Sequence, residues 1–367
     1  MVRNPFKPTA GKTPPALIGR DYVIEEFLEG IENGSGAPSR LMRITGVRGM
    51  GKTVMLNEVS SRARDMGWSV IDETASEGLC ERIIAAAMPQ HVTGVTINPS
   101  ALGASLGSLD IDRAALTLRQ ALSHAIDANG HGLLITLDEV QDAPLEQMRA
   151  LAIAIQHEIR EDKDIAFVFA GLPSMAENVV NGKTLTFLRR AVPVELCPVG
   201  ISEVASSFCS IMAGSGVSID KDTAAELAVL TQGYPFMVQL VGYYVWQLAV
   251  RQGSGVVSKA IATDGVSVAR ERFELTVIEP ALQRLAPSLI EYLLAMAQDG
   301  GSSCETGEVA RRMGKTAQQV SSYRSRLIDD DVIESAGWGM VSFAIPYMAE
   351  YLNDNRDQIE AKLLHKR

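Results

Sequence analysis

Residues 46–53 read Gly46-Val47-Arg48-Gly49-Met50-Gly51-Lys52-Thr53 and fit the pattern G-x-x-x-x-G-K-[ST]. Leu41, Met42, Ile44 and Thr45 just before it form a strand-like run. Val54, Met55, Leu56, Val59 and Ala63 just after it have helical spacing. Strand, Gly-rich loop, helix is the order that phosphate binding needs. The glycines let backbone N–H groups close around phosphate oxygens, and the helix N-terminus adds partial positive charge. The stretch therefore predicts a phosphate-binding P-loop. Gly46, Arg48, Gly49, Met50, Gly51 and Val54 are expected to wrap the nucleotide, Lys52 to reach its β/γ-phosphates, and the Thr53 hydroxyl to ligate Mg²⁺. The plain alternative is a Gly-rich turn with an exposed lysine.

A second stretch favours the P-loop reading. Leu133-Leu134-Ile135-Thr136-Leu137 is nearly continuous in apolar residues, as in a central parallel strand buried on both faces, and it ends in Asp138-Glu139. In parallel α/β sheets ligands bind at the carboxyl ends of the strands. Asp138 is expected to hold Mg²⁺ through its water shell, and Glu139 to orient or deprotonate an attacking water. Two acids capping a strand would be the structural reading of the same residues.

Around these motifs the 367-residue chain has the size for two or three domains. Hydrophobic residues at 46% and charged ones at 21% fit a globular protein. Cys80, Cys197, Cys209 and Cys304 form no C-x-x-C pair, and the five histidines show no ligand spacing, so neither a disulfide framework nor a zinc site is expected. The reducing cytoplasm is the expected compartment. No apolar N-terminal region reads as a signal peptide, and no run approaches the ~18 residues of a membrane span. The net charge of −10 argues against a generic nucleic-acid coat but leaves room for a local basic patch.

In chain order, residues 3–19 carry four prolines and read as an extended arm packed on the core through Phe6, Leu17 and Ile18. A helix is expected over 22–31 with Asp21 as its N-cap. After the P-loop helix come a strand over 68–72, a helix over 78–88, an irregular insertion over 89–110 and a helix over 111–128. A helix over 144–161 and strands over 165–170 and 192–196 complete the nucleotide domain, residues 1–199. Residues 200–286 read as a helical lid, with helices over 202–212, 223–231, 235–250 and 266–285. Residues 287–353 show three helices and then two short strands, the outline of a winged helix-turn-helix. Residues 354–367 are left as a C-terminal tail. The expected fold is α/β: a P-loop NTPase parallel sheet with a helical lid and a C-terminal winged helix-turn-helix.

Further residues carry chemistry. Thr186-Phe187-Leu188-Arg189-Arg190 lies between the fourth and fifth strands, where an arginine fits a finger reaching a neighbouring subunit's γ-phosphate; Arg190 is preferred, and a solvated basic pair is the alternative. Gly233-Tyr234-Pro235 joins two lid helices, with Pro235 either starting a helix or set against the nucleotide base. Residues 309–328 hold Arg311, Arg312, Lys315, Arg324 and Arg326 and no acid. Gln318, Gln319, Ser322 and Arg326 are the candidate DNA contacts, although Asp329-Asp330-Asp331 follow at once and winged helices also bind proteins.

Together these motifs resemble the AAA+ and STAND-like P-loop ATPases, especially the origin-recognition-type ATPase domain with an appended winged helix. The opening NPFKPTAG…PPALIGRD, the DEVQDA turn and AGLP also resemble a group of uncharacterised actinobacterial ATP-binding proteins. The resemblance implies nucleotide contact at Ile18 and Arg20, since Gly19-Arg20 matches the turn that lines the adenine pocket. It likens Gly233-Tyr234-Pro235 to the GxP motif of STAND ATPases. Two departures stand out. Phe169-Ala170-Gly171-Leu172-Pro173 lacks the polar sensor residue of AAA+ enzymes, and no arginine stands clearly in the lid sensor position. The expected function is a slow, Mg²⁺-dependent ATPase switch whose ATP state controls how the winged helix meets DNA or a protein. A homo-oligomer is expected if a finger acts in trans, and no membrane contact is. A nucleotide-sensing scaffold with little hydrolysis is the alternative; a P-loop kinase is disfavoured by the lid, the winged helix and Glu139.

Overall fold

The computed structural model describes residues 3–9, 11–88, 108–173 and 187–365. Most of the 89–110 insertion lies outside the described residues, as does Thr186.

Five parallel strands form the centre: β1 (Leu41–Thr45), β2 (Ser69–Thr74), β3 (Leu133–Asp138), β4 (Ile165–Gly171) and β5 (Val192–Glu195), in the order β2-β3-β4-β1-β5. Every residue of β3 and β4 is buried. Their alternation feeds two apolar layers. Leu134, Ala166, Val168 and Ala170 face one layer, while Leu133, Ile135, Phe167 and Phe169 face the other. Continuous apolar runs are what two-sided burial selects. Helices α1 (Asp21–Glu32) and α2 (Lys52–Asp65) cover the first face through Val23, Phe27, Met55 and Val59. Helices α3 (Leu79–Ala87), α4 (Ser108–Asn129) and α5 (Leu145–Arg160) cover the second through Ile83, Leu122 and Leu151. Pro193 sits in β5, an edge strand, where a missing N–H costs no ladder bond.

Asp21 is not the N-cap of α1. Arg20 holds that position without a side-chain cap, and Asp21 is the first helical residue, where its charge meets the helix dipole.

The lid contains α6 (Ile201–Gly214), α7 (Lys221–Leu230), α8 (Pro235–Arg251) and α9 (Lys259–Phe273). Helix α9 starts seven residues before the sequence-based start at 266. Its N-cap is Ser258, which accepts from the Ile261 N–H, and Gly265 packs so tightly that a Cβ there would lie 2.5 Å from Val245. A π-helical turn over Glu274–Ile278 and a short α10 (Glu279–Gln283) follow, with Pro280 at the start of α10. Proline cannot donate an i→i−4 bond, so the ladder changes pitch there.

The last unit runs α11 (Pro287–Met296), β6 (Cys304–Glu305), α12 (Thr306–Arg312), α13 (Ala317–Asp329), β7 (Ile333–Ser335) and β8 (Met340–Phe343). The strands form an antiparallel sheet ordered β6-β8-β7. The two-residue β6 is too short to carry a periodic signal. Residues beyond 353 are not a loose tail. Helices α14 (Met348–Asp354) and α15 (Arg356–His365) end the described chain, Leu363 is buried, and Arg356 Nη2 donates to Leu294 O at 2.7 Å.

Val199 N donates to Gly233 O at 2.8 Å and so ties the end of the sheet to the lid. Gly233 has φ +69°, and a Cβ there would lie 2.2 Å from Val199 O. Gly233→Ala is therefore expected to cost roughly 2–4 kcal/mol and to lower the thermal midpoint by several degrees, read by calorimetry. An unchanged midpoint would contradict this tight junction.

Candidate nucleotide site

The P-loop leaves β1 at Gly46 and turns into α2. Gly49 and Gly51 take φ +82° and +91°, which side chains resist. Gly49 also has no room for one, since a Cβ would lie 2.4 Å from the Tyr234 hydroxyl. That hydroxyl, on a buried ring, donates to Arg48 O. Burial pushes the Tyr234 phenol far up, so it remains a donor at neutral pH.

Lys52 is buried. Its Nζ donates to Gly46 O at 2.6 Å and Val47 O at 3.3 Å. Burial lowers its pKa, and the charges of Glu139, Asp331 and Asp138 work against that. Thr53 Oγ1 donates to Asp138 Oδ2 at 2.5 Å. Parallel pairing delivers Asp138 there, because β3 ends beside β4 and β4 beside β1. Asp138 Oδ1 accepts from the Glu139 N–H at 2.9 Å, and Glu139 itself turns into the left-handed region at φ +51°.

A cavity of about 410 Å³ opens above the P-loop. Ile18, Arg20, Arg48, Gly49, Met50, Gly51, Lys52, Thr53, Val54, Glu139 and Pro235 line it together. Gly46 and Asp138 stand behind this wall, Gly46 through its bond from Lys52 and Asp138 through Thr53. Arg20 Nη2 donates to Cys197 O at 2.5 Å, so its contribution to the cavity wall is held by the segment following β5. Thr53 and Asp138 present two adjacent hard oxygens beside the phosphate cradle. Mg²⁺ fits such a pair, because it keeps most of its waters and takes its other ligands from substrate phosphates. Among the described residues no group of three or more His, Cys, Asp or Glu side chains is placed to hold a metal ion.

Residues 16–168 match a family model described as an AAA ATPase domain. Residues 276–352 match a domain of unknown function (DUF8462). No curated protein matches the sequence. Among solved structures, the Aeropyrum pernix ORC2 protein, described as ADPNP–ADP complexes, has TM-score 0.66 at 18% identity, covering 97% of this chain and 98% of that one. The Walker-type ATPase of Pyrococcus abyssi follows at 0.62 and 14%, covering 92% and 96%. CDC6P of Pyrobaculum aerophilum has 0.52 and 14%, covering 97% and 98%. The chain thus has the fold of the origin-recognition P-loop ATPases.

The structure adds residues that motif reading missed. Gln141 Nε2 donates to Glu139 Oε2 at 2.5 Å, and its Oε1 accepts from the Leu172 N–H at 3.3 Å. The turn after β3 therefore supplies a polar link to Leu172 at the end of β4, in the stretch that lacks a polar sensor residue. The signal was in the DEVQDA turn, but pattern alone does not aim a glutamine backwards. Asp331 comes from the last unit. It is buried, its Oδ2 lacks a hydrogen-bond donor among the described residues, and its charge faces Lys52 and Arg48. Nothing local in Asp329-Asp330-Asp331 separates that residue from its neighbours.

Other candidates lie apart. Arg190 is exposed on a 3₁₀ turn (Leu188–Arg190) before the edge strand and does not line the cavity. Gln318, Ser322 and Arg326 are exposed on α13. Gln319 is also exposed, but its side chain is engaged: Oε1 accepts from Thr316 N at 2.8 Å in a capping box. Arg326 Nε pairs with Asp330 Oδ2 at 3.0 Å, an exposed pair worth little.

Burial raises the Asp331 carboxyl to about 7, against the pull of Lys52 and Arg48 and with help from Asp330 and Asp329. A raised acid pKa favours the fold below about pH 4, and that contribution is lost as pH rises towards 7. Asp331→Asn, which also tolerates the left-handed backbone (φ +54°), is expected to melt about 2–4 °C higher than wild type at pH 8 and equally at pH 4. A difference independent of pH, read by scanning calorimetry, would contradict a buried charge at this position.

Proposed function

We propose that the protein is a Mg²⁺-dependent ATPase that works as a slow molecular switch, with ATP state controlling how its last unit engages duplex DNA or a protein. The observation that carries this reading is the meeting of Lys52, Thr53 and Glu139, with Asp138 bonded behind Thr53, at one cavity with an apolar side wall of Ile18, Val199 and Pro235. The wall suits an adenine ring, and the N-terminus of α2 with its loop N–H groups suits the phosphates. Lys52 exchanges its carbonyl partners for phosphate oxygens. Mg²⁺, held by Thr53 and Asp138, would neutralise charge on the β- and γ-phosphates. Glu139, oriented by Gln141, accepts a proton as water attacks the γ-phosphorus and the bond to the β-bridging oxygen breaks.

We read the last unit as a winged helix-turn-helix. Helix α13 presents Gln318, Ser322 and Arg326 outward, and Trp338, between two glycines of the β7–β8 turn, is fully exposed. An exposed tryptophan beside a polar and basic helix suits a nucleic-acid groove or a partner surface. Arg190 would act on a neighbouring subunit, which makes an oligomer part of this reading. The second reading, a nucleotide-sensing scaffold with little hydrolysis, is favoured by the cavity's lid side: Pro235, Phe236, Val238, Gln239, Thr276 and Val277 include no arginine.

Steady-state hydrolysis tests the reading. Lys52→Ala is expected to lose ATP binding. Glu139→Gln is expected to keep binding and lose turnover by about 10²–10⁴-fold. Duplex DNA is expected to raise wild-type turnover, with affinity falling steeply as salt rises. Turnover equal in wild type and Glu139→Gln would remove the catalytic role of Glu139 and favour the scaffold. No DNA affinity at low salt would leave a protein as the partner of the last unit.

A further inference from the structure

The N-terminal arm crosses the nucleotide cavity. It is pinned at one end to the lid. Phe6 is buried with its ring 5.9 Å from that of Phe208, in a seat so close to Gly242 that a Cβ there would lie 2.3 Å from the ring. Asn4 Nδ2 donates to Tyr243 O at 3.0 Å, and Lys7 N donates to Gln239 Oε1 at 2.9 Å, both on α8. At the other end it is pinned to the P-loop helix, where Asn57 Nδ2 donates to Gly11 O at 3.0 Å. A turn closes between the pins. Lys12 N donates to Thr9 O at 3.1 Å, and Gly11 takes φ +72°, where a Cβ would sit 3.9 Å from the Thr53 methyl. The turn thus lies against the first turn of α2, the end that carries the phosphate cradle.

The arm brings charge to this place. Of the described charged residues lining the cavity, Lys7, Lys12, Arg20, Arg48 and Lys52 are cationic and Glu139 alone is acidic. In a chain of net charge −10 this is a concentrated positive site, and two of its five cations come from the arm. Arg20 is committed to Cys197 O, and Lys52 is the cation that the P-loop itself supplies. Lys7 Nζ donates only to a backbone oxygen, Asn4 O at 3.1 Å, and both arm lysines have exposed side chains at the cavity edge. A nucleoside triphosphate carries three to four negative charges, and no arginine of the lid lines the cavity.

We propose that the N-terminal arm is a wall of the nucleotide site and that Lys12, with Lys7 beside it, binds the phosphates of the nucleoside triphosphate held by the P-loop. The proposal rests on the ATP reading of that cavity. The arm then does the neutralising work that a lid arginine would otherwise do. Because it is pinned to both the lid and α2, phosphate contact at Lys12 also holds those two parts together.

Titration calorimetry of Mg²⁺–ATP and of adenosine tests this with the full chain. Lys12→Ala is expected to weaken ATP roughly three- to tenfold, and Lys7→Ala with Lys12→Ala further, while adenosine binding changes less than about twofold. Phe6→Ala, which frees the arm but keeps both lysines, is expected to weaken ATP to a similar degree. The ATP loss is expected to shrink as salt rises. ATP affinity in the double lysine variant within about twofold of wild type would overturn the proposal and leave the ATP site intact. Equal losses for ATP and adenosine would overturn it too, because they would mark a damaged cavity wall rather than a phosphate contact. Wild type that binds no ATP, as Lys52→Ala is expected to, would overturn the reading of the cavity and this proposal with it.

Discussion

The hydrogen bond from Thr53 to Asp138, 2.5 Å long, is the constraint on which the rest of the site depends. It joins the first turn of α2, which follows β1, to the end of β3, and β1 and β3 lie on either side of β4 in the sheet. The bond forms only if two parallel registers, β3–β4 and β4–β1, are kept and if β1, β3 and β4 all end at the same level. Those registers follow from burial. A one-residue slip of β3 would turn Leu133, Ile135 and Leu137 to the wrong layer. The apolar sandwich therefore aims two oxygens at a spot where a divalent cation fits.

The same P-loop is braced from outside its own layer. Tyr234 of the lid holds Arg48 O, and Asp331 of the last unit faces Arg48 and Lys52. The last unit is fastened to the lid as well. Tyr347 Oη donates to Leu230 O, the Arg270 guanidinium stacks 4.4 Å from the Tyr347 ring, and Tyr351 Oη donates to Glu279 at 3.2 Å. Charge arriving on the P-loop is thus felt by three parts of the chain at once. Asp331 is repelled by phosphate and attracted by the cations that phosphate engages, so its position is sensitive to occupancy of the cradle. A switch needs that kind of differential contact between its parts.

The sheet, most helices and the P-loop site were legible because each rests on a local pattern. Leu133 to Glu139 carried both a strand and its chemistry, and the glycines of residues 46–51 announced backbone turns that side chains resist. What could not be read involved long-range pairing. Gln141 becomes informative only when folded back on Glu139 and Leu172. Asp331 resembles its acidic neighbours until the last unit docks on the P-loop. Gln319 looked outward by spacing, yet the Thr316 cap three residues earlier claims it. Beyond residue 353 the polar composition concealed a helix whose one buried anchor is Leu363. The early start of α9 was hidden because Ala262 and Gly265 pack by being small rather than by being apolar and large.

The most direct test of the account is the Mg²⁺ dependence of ATP binding, measured by calorimetry on wild type and Thr53→Ala. If Thr53 and Asp138 seat the cation that bridges protein and phosphates, wild type binds ATP about tenfold or more tightly with Mg²⁺ than with chelator, and Thr53→Ala loses most of that gain. ATP affinity in wild type that is indifferent to Mg²⁺, or a Mg²⁺ gain that survives intact in Thr53→Ala, would contradict it.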